Sequence, residues 1–164
     1  MQAGLDWERD GHDWPHRQHS RRLRVGALDW HVQAFPPPRP GAPLALLLHG
    51  TGASTHSWRD VVPPLAQHFE VLACDLPGHG FTSLVPGARP ADCLSLRGMA
   101  AELGGLLRAL NAAPALVIAH SAGVALAIRM VLDGLIAPRA VVGINAALLP
   151  LRGLPGQVFA PAAR

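Results

Sequence analysis

Four short runs carry apolar residues at every position: Leu44–Leu48, Val71–Cys74, Ala115–Ala119 and Ala140–Ile144. Such a run predicts a strand buried on both faces, the habit of a parallel sheet covered by helices. The segments between them change period. Ser57 and Asp60 have the spacing of a capping box, with Asp60 in place of the usual Glu or Gln, and predict a helix start there. Pro63-Pro64 should kink or restart that helix before Leu65–Phe69. Ser95 is placed to cap a second helix, in which Leu96, Met99, Leu103, Leu106, Leu107 and Leu110 share one face. Asn111 and Pro114 should end it. A third helix is predicted from Ser121 to Asp133, closed by Gly134.

Upstream the pattern is different. Residues 21–25 and 28–35 read as two strands joined by a tight Gly26-Ala27 turn. The second alternates Leu28, Trp30, Val32 and Ala34 with Asp29, His31 and Gln33, which predicts a half-buried antiparallel strand. Pro36-Pro37-Pro38 should stop it, because proline cannot sustain a ladder. Residues 1–20 are polar apart from Trp7 and Trp14, and are expected to form an arm that packs both Trp rings on the body. Strands alternating with helices then give an α/β fold: a mostly parallel sheet preceded by an antiparallel hairpin.

Composition narrows this reading. The 164 residues suggest about one domain. With 49% hydrophobic and 15% charged residues, a real core is expected and general disorder is not. No apolar run approaches the roughly 18 residues of a membrane span. The sequence pI near 10.1 suggests nucleic acid, but the basic residues are all Arg and the net charge is only +3. Without Lys or Tyr, little holds the pI down. The Arg residues form no sustained stripe, so no nucleic-acid partner is expected. Cys74 and Cys93 have neither zinc nor redox spacing and predict reduced thiols in a cytoplasmic protein. His12, His16 and His19 would face one way on a helix, but Pro15 interrupts it, so no metal site is expected. The first residues lack the apolar core of a secretory signal.

The sharpest chemical feature is Ala119-His120-Ser121-Ala122-Gly123, where an apolar strand meets an amphipathic helix. This is the setting of a nucleophile elbow, usually G-x-S-x-G. Ser121 would sit on a strained turn with positive φ, its hydroxyl held clear of the sheet. Residues two before and two after should crowd each other. Gly123 fits, and Ala119 adds one methyl. The helix start makes the Ala122 amide one oxyanion donor. His49-Gly50-Thr51-Gly52, after the first buried strand, is placed to supply the second, from Thr51 with Gly52 next in line. His49 is expected to hydrogen-bond beneath this loop rather than act as a base. The glycines lack the Lys and spacing of a phosphate loop. Asp75 to Gly80 reads as a fixed turn at the rim, and His120 as a structural neighbour.

In this order the three motifs resemble the α/β-hydrolase fold over about residues 20–150. Asp6–Gly11, Asp13–Pro15, Leu48–Asp60, Asp75–Thr82, His120–Gly123, Leu132–Arg139 and Leu148–Gly153 further resemble the magnesium-chelatase accessory proteins of bacteriochlorophyll synthesis. That resemblance runs nearly end to end, arm included. It implies a role near magnesium insertion into protoporphyrin, with a small-molecule substrate or a tetrapyrrole, and chelatase subunits as partners. It implies no cofactor.

A serine nucleophile needs a base and an orienting acid, here in the order Ser, acid, His. Every His precedes Ser121, and the only later acid is Asp133. A helix would carry Asp133 roughly 18 Å from the serine. The expectation is a partial core over residues 21–147, incomplete at its C-terminal side, with 148–164 beginning a cap region. Two alternatives stay open: a general serine ester hydrolase, or a non-catalytic porphyrin-binding protein. His31, His56 or His120 could ligate magnesium in a tetrapyrrole, though their spacing does not favour it.

Overall fold

A computed structural model describes residues 5–147. The arm contains a short helix, α1 (Trp7–Asp10), capped by the Asp6 side chain, and a 3₁₀ turn (Arg17–His19). The chain then forms β1 (Ser20–Val25), β2 (Leu28–Phe35), β3 (Leu44–Leu48), α2 (Val62–Leu65), β4 (Glu70–Cys74) and β5 (Ser83–Leu84). It continues with α3 (Pro90–Cys93), α4 (Leu96–Ala109), β6 (Pro114–His120), α5 (Ala122–Leu132) and β7 (Ala140–Ile144). The sheet order is β1-β2-β4-β3-β6-β7, with β5 paired to β2. β1, β2 and β5 join antiparallel, whereas β4, β3, β6 and β7 run parallel. This is the expected α/β architecture with its N-terminal hairpin.

The local reasons are those the sequence suggests. Gly26 turns the hairpin at φ +60°. The Ser95 hydroxyl accepts from the Gly98 amide and starts α4. Asn111, at φ +51°, ends it, and the Ala112 amide donates back to the Leu107 carbonyl. α4 and α5 pack together over one sheet face, burying Leu46, Leu103, Leu106, Val117, Leu126 and Met130. A smaller cluster of Phe35, Leu47, Trp58, Val62 and Val71 fills the other face.

Four expectations need correction. Residues 57–60 do not form a capping box: Ser54 precedes a 3₁₀ turn over Thr55–Trp58, and α2 starts later with Pro63 and Pro64 in its first turn. A proline there loses no helical bond, so it restarts the helix rather than kinking it. Leu96, at the first position of α4, is exposed rather than buried. β2 is not half-buried. His31 and Gln33 are covered as completely as Trp30 and Val32, because the arm lies over them. β7 is exposed along its length, since among the described residues only β6 pairs with it.

The arm covers β2 through both tryptophans. Trp7 lies 4.9 Å from the His31 ring and packs edge-on to Phe81, as does Trp14 at 4.8 Å. His16 and His19 pack against Phe35. The Gln33 amide donates to the Pro15 carbonyl at 2.6 Å. The predicted cap region, 148–164, lies outside the described residues.

Candidate active site

In the parallel part of the sheet the order of the strands reverses at β3, which has β4 on one side and β6 on the other. Ligands of open α/β sheets bind beyond the strand ends at such a reversal. His49 and Ser121 both follow strands that meet there.

Ser121 has φ +50° and ψ −117°, a conformation a non-glycine residue adopts only when held. The restraints are visible. Its amide donates to the Ile144 carbonyl at 2.9 Å, and its carbonyl accepts from the Val124 and Ala147 amides at 3.1 and 3.2 Å. Asn145, at φ +47°, makes the turn that returns Ala147 to the serine. These residues escape the motif analysis; the only signal is an Asn closing an apolar run, a turn residue that tolerates positive φ. Gly123 is crowded from a second direction. A Cβ there would lie 2.5 Å from the Leu48 carbonyl and 2.6 Å from that of His49, so the end of β3 crowds it most closely. Ala119 is fully buried, paired in register with Leu48.

The loop after β3 approaches the Ser121 turn just as closely. A Cβ on Gly50 would sit 2.9 Å from the Ser121 Cβ and 3.0 Å from His120 Nδ1. The Ala53 amide donates to the Gly50 carbonyl, closing a turn in which Gly52 takes φ +71°. Thr51 and Gly52 are exposed on this turn, and Ala122 is the first residue of α5. The Ala122 amide has no acceptor within its own helix. The close approach of Gly50 thus sets this loop against Ser121, the residue that precedes Ala122 and α5.

His49 is fully buried beneath them. Its Nε2 accepts from the Leu76 amide at 2.9 Å, so Nδ1 carries the hydrogen and donates to the Gly50 carbonyl at 2.7 Å. Burial lowers its pKa, an effect that the Gly50 carbonyl and Asp75 oppose only in part. Both ring nitrogens are engaged, tying the Gly50 turn to the following loop. Asp75, also fully buried, ties that loop further. Its Oδ1 accepts from the Thr55 amide at 2.6 Å, and its Oδ2 from the Phe81 amide at 2.9 Å and His31 Nδ1 at 2.8 Å. Burial pushes its pKa up, but His31 and the two amides outweigh this and hold it below the usual carboxylate value. A side chain on Gly80 would collide with the same carboxylate. The importance of His31 and Thr55 is not visible in sequence, because the bonds span 44 and 20 residues.

A cleft of about 260 Å³ opens next to the Ser121 turn, lined by His49, Ala53, Ser57, Trp58, His120 and Ile144. A larger one, about 580 Å³, lies where the strands begin and touches none of these residues. Asp133 is at the far end of α5, paired with Arg129 through a 2.7 Å hydrogen bond. Among the described residues no His, Cys, Asp and Glu side chains group as a metal site. Both cysteines are free and buried, and burial raises the Cys74 thiol pKa. No helix among the described residues is long and apolar enough to cross a membrane.

The model of the alpha/beta hydrolase family matches residues 45–164. The magnesium-chelatase 30 kDa subunit of Rhodobacter capsulatus is 45% identical over 152 residues, covering 93% of this chain and 51% of that protein. A fluoroacetate dehalogenase from a Burkholderia species is 36% identical over 91 residues, 56% of this chain and 30% of its own length. The chain thus spans about half of the first relative's length and less of the second's. Among solved structures, an alpha/beta hydrolase fold protein from Burkholderia ambifaria superposes with a TM-score of 0.66 at 28% identity, covering 84% of this chain and 50% of its own. A match to the family model over residues 45–164, together with this superposition, places the chain in the alpha/beta hydrolase family.

Proposed function

We propose that the protein is an accessory factor acting in the cytoplasm near magnesium insertion into protoporphyrin during bacteriochlorophyll synthesis, with magnesium-chelatase subunits as partners. The 45% identity to the magnesium-chelatase 30 kDa subunit supports the pathway. We further propose that Ser121 is the nucleophile of this site. It would attack an ester carbonyl of a small molecule or a tetrapyrrole, while the Thr51 and Ala122 amides, with Gly52 alongside, hold the developing oxyanion. The observation that carries this chemistry is Ser121 at φ +50° on the helix start. A strained serine at the positive end of a helix fits a nucleophile better than an ordinary cap.

The test separates pathway from chemistry. A strain lacking the gene for the full-length protein is complemented with wild type and with Ser121→Ala, and magnesium-porphyrin accumulation is measured. Rescue by wild type alone supports hydrolysis within the pathway. Rescue by both favours a binding role and overturns the nucleophile assignment. Rescue by neither overturns the pathway assignment. The 164-residue chain has no His after Ser121 and is expected to show no substantial turnover of short p-nitrophenyl esters. Robust turnover abolished by Ser121→Ala would show a base elsewhere in it.

A further inference from the structure

The cleft beside Ser121 has one wall built from Ala53, Ser57 and Trp58. The anchor of that wall is Thr55, which is buried at the start of its 3₁₀ turn. Thr55 is held twice. Its amide donates to Asp75, and its hydroxyl oxygen accepts from the Trp14 indole N–H at 3.1 Å. Trp14 belongs to the arm, 41 residues earlier. The same arm also reaches Asp75 by a second route. The Ser20 hydroxyl lies 3.1 Å from His31 Nε2, and His31 Nδ1 bonds Asp75. With the Nδ1 hydrogen directed to the carboxylate, Nε2 accepts the Ser20 hydroxyl hydrogen. The Gln33 amide donates to both Ser20 Oγ and the Pro15 carbonyl, which closes the circuit. Just beyond the wall, the His16 ring donates to the Arg59 carbonyl at 2.8 Å.

We propose that residues 5–20 form a strap that sets the wall of the Ser121 cleft, with Trp14, Ser20 and His31 as positioning residues. The strap's relevance to a reaction rests on the nucleophile reading, but its mechanical role does not. Every polar group in the circuit is buried or half-buried and has a partner in it. The arm therefore supplies bonds that water would otherwise make to this loop. A loop held at one anchor from two directions has fewer ways to open than one held by its own turn alone.

The experiment uses amide hydrogen exchange in the full chain. Trp14→Phe keeps a ring against Phe81 and His56 but removes the N–H. Ser20→Ala cuts the second route and leaves Trp14 in place. Each variant is expected to exchange amides in 51–58 about five- to tenfold faster, the factor for one lost neutral hydrogen bond. The amides of Leu103–Leu107 in α4 should keep the wild-type rate. Unchanged exchange in 51–58, or equal acceleration in α4, overturns the strap. Labelling of Ser121 by a fluorophosphonate in the full-length protein is measured in parallel. Wild-type protein that does not label fails the nucleophile reading while exchange still decides the strap. Slower labelling in Trp14→Phe joins the two.

Discussion

β2 and β7 lie toward opposite sides of one sheet and meet opposite fates. β2 carries His31, Gln33 and Asp29 among its apolar residues, yet His31 and Gln33 are sealed from water. β7 carries Val141, Val142 and Ile144, yet all three are more than a third exposed. The difference lies in what covers each strand. The arm folds over β2 and, with Asp75, offers partners to the His31 ring and the Gln33 amide, so their burial costs little in unmade hydrogen bonds. β7 has β6 on one side and no second strand among the described residues. A strand's own composition states what burial would be worth. The neighbours decide whether it happens.

The comparison breaks most readily at Asp75, where the buried polar side converges. Asp75→Ala removes the acceptor of His31, Thr55 and Phe81 together, leaving buried donors unpaired. It should cost about 3–5 kcal/mol, the range for breaking a buried pair by removing one partner. Denaturant titration would measure it. A cost under about 1 kcal/mol, typical of a surface change, would mean that water reaches this cluster and the arm does not seal β2.

Acid should expose the same asymmetry more gently. The folded-state pKa values of His49 and Asp75 are both depressed. For each, the unfolded chain binds the proton more readily, so its contribution is complete above the unfolded value and fades as pH falls through the folded one. Stability should therefore begin to fall below the ordinary His value of 6.5, as His49 resists protonation, and fall again below 3.8 as Asp75 is titrated. His49→Gln should remove the upper of these two windows. Substitutions in β7 should move the whole curve without reshaping it, because Ala140–Ile144 holds no titratable group. Stability curves measured across this range would show either result.

The course of the sheet was legible because it rests on short-range signals. Leu44–Leu48, the Gly26 turn, the Ser95 cap and the positive φ of Ser121 each follow from residues within a few positions. What was not legible depends on distant partners. His31 and Gln33 looked exposed because nothing in their alternation reveals an arm that returns over them. Ser57–Asp60 has capping-box spacing, but the Thr55 amide goes to Asp75, and a 3₁₀ turn forms instead. The tight approach of the Leu48 and His49 carbonyls to Gly123 is likewise invisible in the motif, because it comes from β3. The end of β7 was missed for the same reason: the bonds from Ile144 and Ala147 to Ser121 cross between strands.

The end of β7 sharpens the contrast, since an exposed strand there grips the candidate nucleophile. Asn145→Ala should cost about 1 kcal/mol, because a Cβ residue without a hydrogen-bonding side chain tolerates positive φ poorly. Asn145→Gly should cost less. Both would be read from thermal unfolding, with exchange of the Ala147 amide as the local reporter. Equal behaviour of the two variants would mean that the turn is not set by its positive φ.

The smallest expected effect is the most discriminating, because it compares two residues side by side. Val117 in β6 and Val141 in β7 are direct partners in the register, and one is 0% exposed while the other is 40% exposed. Val→Thr is nearly isosteric and keeps the β-branch that strands favour, so it replaces a methyl with a hydroxyl and little else. At Val117 that hydroxyl enters the core without a partner and should cost about 1–3 kcal/mol. At Val141 water can satisfy it, and the change should stay within about 0.5 kcal/mol. Equal costs would mean that the outer strand is covered in the folded protein, and β7 would then be a buried strand like β2. A large difference would locate the boundary of the core between two adjacent strands, one hydrogen-bonded step from Ser121.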